Sequence, residues 1–78
     1  MRVRIMVGKC DYVVVVQEAF YDSSTNCFNI VTTNSIFQTE MGTTMGHACL
    51  DELMRLGGSG HRLFLTFDGY TFHKVQKN

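Results

Sequence analysis

Three histidines and three cysteines are the side chains best suited to hold a metal or attack a substrate, and their spacing suits neither. His47 and Cys49 stand two apart in a stretch of helical periodicity. Positions two apart on a helix point about 200° from one another, so the pair does not converge. Cys49 reads as core and His47 as surface. His61, His73, Cys10 and Cys27 are scattered, without the short paired spacing of a zinc site. Cys10 follows Lys9 and is the thiol best placed to be reactive, yet a turn position accounts for it without catalysis. Gly57-Gly58-Ser59-Gly60 has the composition of a phosphate loop. It follows a helical stretch, however, and a helix C-terminus is the wrong end of the dipole for an anion. The residues call for no metal, no cofactor and no catalytic group.

Charge carries more information. Between Cys10 and Met54 there is no lysine or arginine, and that stretch holds Asp11, Glu18, Asp22, Glu40, Asp51 and Glu52. Arg2, Arg4 and Lys9 precede it. Arg55, Arg62, Lys74 and Lys77 follow, against the single acid Asp68. A net charge of zero and a sequence pI of 6.8 therefore hide a basic–acidic–basic layout. Such a layout bears on which surfaces meet partners and names no reaction.

The chain's 78 residues make one domain, and 45% apolar content is that of a folded protein. No run of about 20 apolar residues is present to span a membrane. The apolar stretch after Met1-Arg2-Val3-Arg4 is too short and interrupted for a secretory signal. An odd number of widely spaced cysteines points to reduced thiols and a cytoplasmic setting.

The elements follow from hydrophobic period. Val3, Ile5 and Val7 alternate with Arg2, Arg4 and Met6, which predicts a half-buried strand. Gly8 to Asp11 supplies a turn. Tyr12 to Phe20 predicts a second strand, and its four consecutive valines, Val13 to Val16, predict neighbours on both sides. Pairing sets Arg2, Arg4, Met6, Val13 and Val15 on one face. Glu18 falls on the other, the core face, unless a bulge turns it outward. After the turn formers Asp22 to Asn26 comes a third strand, about Cys27 to Thr33. Phe37, Met41, Met45, Cys49, Leu53 and Leu56 recur at helical spacing. The helix begins near Ile36, where Ser35 and Gln38 fit a capping box, or later with Thr43 as cap, and ends at Gly57. Arg62 to Phe67 and Tyr70 to Gln76 read as two strands joined by an Asp68-Gly69 hairpin turn. Leu63, Leu65, Phe67, Tyr70 and Phe72 then share the core face. The sum is an α+β fold, β-β-β-α-β-β. It has a five-stranded, mainly antiparallel sheet with one helix packed on one face. A right-handed crossover sets the fourth strand parallel to the first, in the order 3-2-1-4-5.

In element order the chain resembles the first part of the ribonuclease H-like fold, where acids on the first strand, near the first helix and at the end of the fourth strand bind metal. Glu40 and Asp68 fall near the last two places, and the first strand has no acid. The resemblance thus implies at most a degenerate, non-catalytic member.

Two surfaces are candidates for binding. The uncovered sheet face gathers Arg2, Arg4, Met6, Val13, Val15, Arg62, Phe64, His73 and Val75, an apolar patch among bases. The lysine-free segment offers Asp11 and Asp22 in turns and Glu40, Asp51 and Glu52 on the helix as an acidic surface for a basic protein partner. The expected function is that of a small non-enzymatic protein–protein interaction module, a homodimer through the sheet face. Chains of this size without a catalytic constellation often regulate or inhibit larger machines, phage and mobile-element proteins being a common case. The alternative is nucleic-acid binding, with bases tracking the phosphates and Phe64 stacking a base. Zero net charge and the acidic middle count against it.

Overall fold

The computed structural model describes residues 1–58 and 65–76. Its elements are β1 (Arg2–Val7), β2 (Cys10–Val15), β3 (Glu18–Asp22), β4 (Cys27–Val31), β5 (Ser35–Glu40), α1 (Thr43–Gly58) and β6 (Leu65–Gln76). The architecture is α+β with one helix. The sheet has six strands where the sequence predicts five, in the order β2-β1-β6-β5-β4-β3. The β1–β6 pair is parallel and the other four are antiparallel.

β2 and β3 stand at opposite ends of that order, yet only Val16 and Gln17 separate them in the chain. The sheet must therefore roll until its ends meet. Two backbone hydrogen bonds mark the seam: the Val16 N–H donates to the Met1 carbonyl and the Gln17 N–H to the Val31 carbonyl, both at 2.8 Å. The predicted second strand is thus one bent run that serves β1 with its first half and β4 with its second. The bend shifts the side-chain alternation by one residue. Val14 and Val16 pack on the core before it, Ala19 and Tyr21 after it, and Glu18 is turned outward.

The strand after the helix runs parallel to β1, as a crossover requires. Its outer neighbour is β5, because Ser35–Glu40 is a strand and not the first turns of the helix. Ser35, Phe37 and Thr39 are buried while Ile36, Gln38 and Glu40 are not, a period of two that the helical spacing of Phe37 and Met41 masks. The helix takes the later of the two predicted starts. The Gly46 N–H closes its first turn on the Gly42 carbonyl at 2.8 Å.

Asp68-Gly69 does not reverse the chain. β6 runs straight through it as one strand, the Arg62–Phe64 part of the prediction lying outside the described residues. Between the pairs Arg4–Thr66 and Met6–Thr71, the single residue Ile5 of β1 is matched by four of β6, Phe67 to Tyr70, so β6 bulges there. The strand has β1 on one edge and β5 on the other; folding it back on itself would forfeit both ladders. The bulge also explains the core. Phe67 and Phe72 are five apart and strict alternation would oppose them, yet both are buried with rings 5.4 Å apart. Gly69 holds φ at +87°. An added Cβ would meet nothing within 4 Å, so Gly69→Ala should cost only backbone strain, ~1–2 kcal/mol in urea unfolding.

The core gathers Val3, Ile5, Phe28, Ile30, Phe37, Met41, Phe67 and Phe72 from the sheet side and Leu53 from the helix. Tyr21 fixes the helix against β3. Its ring fills the space beside Gly46, and its hydroxyl donates to the Met41 carbonyl at 2.8 Å. Met45, predicted to be core, is exposed instead. No helix among the described residues is long and apolar enough to cross a membrane.

Candidate interaction surface

The β1–β2 hairpin turns on Gly8 and Lys9, with Gly8 at φ +61°. A two-residue turn with its first position left-handed matches the twist of the flanking strands, and here it pairs Val7 with Cys10. Register then fixes the outer face: Arg2 opposite Val15, Arg4 opposite Val13, Met6 opposite Asp11. Val3 and Ile5, between those positions, are buried, which pins the register because a slip of one residue would expose them. Val15, Val13 and Met6 form a diagonal of apolar side chains, exposed by 59%, 47% and 39%. Arg2, Arg4 and Asp11 rim it, with Arg4 Nε 3.7 Å from an Asp11 carboxylate oxygen. The predicted enclosure of the valine run on both sides is not found, because β2 is an end strand and the sheet covers only its inner face. Where β6 bulges beside this hairpin, a cleft of about 490 Å³ opens between Arg4, Met6, Asp11, Asp68 and Tyr70.

His73 and Val75 are not part of this face. β6 leaves β1 after Phe72 and pairs with β5, so His73 faces Gln38 and Val75 faces Ile36. They join a second outer surface made by β3 to β6. One of its rows is Phe20, Asn29, Gln38 and His73; another is Glu18, Val31, Ile36 and Val75. Asn29 is 1% exposed on that surface. Its amide donates to the Cys27 carbonyl at 3.0 Å and its oxygen accepts from Gln38 Nε2 at 2.7 Å, so its polar atoms are satisfied. Sequence reasoning missed Phe20 and Ile36 here; the alternation of Ser35–Glu40 was the available signal. Arg62 and Phe64, and also His61, lie outside the described residues.

The acids do not form one surface. Asp11 belongs to β2, Asp22 ends β3 and Glu40 ends β5, whereas the sequence placed the first two in turns and the third on the helix. Asp22 and Glu40 share a row across Cys27, so Glu40 is on the sheet's outer surface and not on the helix layer. Asp22 accepts from the Ser24 hydroxyl at 2.6 Å and its backbone N–H at 2.9 Å, which together hold its carboxyl below the usual aspartate value. On α1, Asp51 is exposed and Glu52 pairs with Arg55 Nη2, raising the guanidinium's pKa. The same interaction ties up one of the helix's two acids.

Among the described residues the metal-ligating side chains stay dispersed, and no three of His, Cys, Asp or Glu converge as a metal site needs. Cys10, Cys27 and Cys49 are free thiols, and burial pushes the Cys49 thiol up, away from reactivity. His47 packs its ring edgewise on Tyr21, with centroids 5.7 Å apart. No family model, no curated protein and no solved structure matches the chain.

Proposed function

We propose that this chain is a non-enzymatic protein-interaction module that self-associates through the outer face of the β1–β2 hairpin. The observation that carries the reading is the diagonal of Val15, Val13 and Met6, side by side in register and rimmed by Arg2, Arg4 and Asp11. A contiguous apolar patch with a polar rim is the anatomy of a protein contact, whereas single exposed apolar residues are ordinary surface. Nucleic acid is the weaker partner, because Asp11 stands inside the arginine stripe and would repel a phosphate backbone.

Sedimentation across concentrations tests the reading. The expected result is a monomer–dimer equilibrium, with Val15→Lys and Met6→Lys each shifting it at least tenfold toward monomer without unfolding the chain. A wild-type chain that stays monomeric at high micromolar concentration would overturn self-association.

A further inference from the structure

The hairpin's hydrogen-bond phase determines how two copies can meet. The two-residue turn makes Val7 and Cys10 a pair that exchanges backbone hydrogen bonds. Alternation makes Ile5–Tyr12 and Val3–Val14 bonded pairs as well, and the Val16 N–H on the Met1 carbonyl continues the series. Asp11, Val13 and Val15 therefore point their N–H and C=O groups away from β1. Gln17, next in that phase, uses its N–H on Val31. Among the described residues β2 has no second neighbour in the sheet, and beyond Val15 a groove of about 300 Å³ separates it from the Thr32–Ser35 turn. The end strand at the other limit of the order, β3, has the helix packed on its Tyr21.

Free strand edges pair with other chains unless something blunts them, usually a lysine, a proline or a bulge. β2 has neither residue, and its register with β1 is uninterrupted. We infer that two copies of this chain join edge to edge through β2, antiparallel about a two-fold axis at Val13, so that Val13 faces its own counterpart and Asp11 faces Val15 of the second copy. This rests on the self-association proposed above and locates the contact at the β2 edge of the hairpin, with Val13 and Val15 of its outer face at the junction.

Charge selects a second copy in that orientation. A parallel in-register pairing would stack Asp11 on Asp11. The two-fold arrangement puts the two acids at opposite ends, each beside a Val15 whose β1 neighbour is Arg2. Two strand spacings, about 10 Å, separate Asp11 from that arginine's backbone, a gap the arginine side chain spans. Each chain's Asp11, which also stands 3.7 Å from its own Arg4, thus comes within reach of the other's Arg2, and the two Val13 side chains lie beside one another on the shared outer face. Six outward-facing residues, three from each copy, become an unbroken ladder, and the sheet continues from one molecule into the next.

The test separates the edge from the face. Val13→Pro removes an outward N–H while leaving the hydrogen bonds to β1, and edge strands accept proline. It should abolish the dimer while the circular dichroism spectrum stays that of the wild type. Independently, in a Cys10→Ser background, Val13→Cys should oxidise to a covalent dimer. Facing bonded residues lie about 5.5 Å apart, within disulfide reach. Val15→Cys should not cross-link, because Val15 faces Asp11. A dimer that survives Val13→Pro yet dissociates with Val15→Lys would overturn the edge geometry and leave the face reading intact. Cross-linking through Val15→Cys and not Val13→Cys would overturn the register, and a wild-type monomer would overturn both proposals. Should Val13→Pro fail to fold, the pair of cysteine variants decides.

Discussion

Phe28→Ala should remove about 3–5 kcal/mol of folding stability, the usual cost of truncating a fully buried phenylalanine. The ring is inaccessible to solvent, on the central strand of the β3-β4-β5 meander, and lies 5.4 Å from Phe67 in β6. A chain of 78 residues has only about 4–12 kcal/mol in hand, at the common 0.05–0.15 kcal/mol per residue. The variant should therefore be partly unfolded at room temperature, or lose at least about 1 M from its urea midpoint at an m-value of ~1–3 kcal/mol/M. A loss below about 1 kcal/mol would mean that this ring is not at the centre of the core.

The second large effect reverses an ordinary expectation. In an exposed helix interior, replacing glycine by alanine stabilises by about 1 kcal/mol. At Gly46 the same change should destabilise by roughly 1–3 kcal/mol, the range for overpacking a filled site. An ideal Cβ there would be 2.9 Å from Tyr21 Cγ and nearer still to Cδ1 and Cε1. Cγ is the root of the ring, and the hydroxyl at the far end is tied to the Met41 carbonyl, so the side chain cannot swing clear without giving up that bond. A double-mutant cycle isolates the cause. In a Tyr21→Ala background Gly46→Ala should become neutral or stabilising, whereas additive losses would place the cost outside this contact.

Part of the fold and of the candidate surface was legible in the sequence. The alternation of Arg2 to Val7 was enough to put Val3 and Ile5 inside and Arg2, Arg4 and Met6 outside, and with a pairing it grouped Val13 and Val15 with the arginines. That grouping is the candidate surface. The run of four valines announced a strand but could not say whether the strand was central or terminal, because β-branching reports backbone shape and not neighbours. Asp68-Gly69 was misread for a related reason. The dipeptide signals that the backbone turns left-handed at Gly69, and it does; whether the chain then reverses is decided by β1 and β5, far away in sequence. The same strand's change of partner after Phe72 separated His73 and Val75 from the arginines. Ser35–Glu40 satisfied two periods at once, and the glycine at position 42 was the only local mark of where one gave way to the other.

The way β6 divides itself between β1 and β5 has a consequence for the order of assembly. The β1–β2 hairpin and the β3-β4-β5 meander are each built from contacts close in the chain, and each can form early. Neither encloses a core alone. Joining them needs β6, whose pairing of Leu65 with Val3 closes a loop of roughly sixty residues, the slow, non-local kind of contact that limits folding rates. Until that strand docks, the hairpin's valine edge and the inner faces of the hairpin and the meander are open together. The closing strand is thus the clasp of the fold, and the interval before it engages is when this chain is most exposed to association with the wrong neighbour.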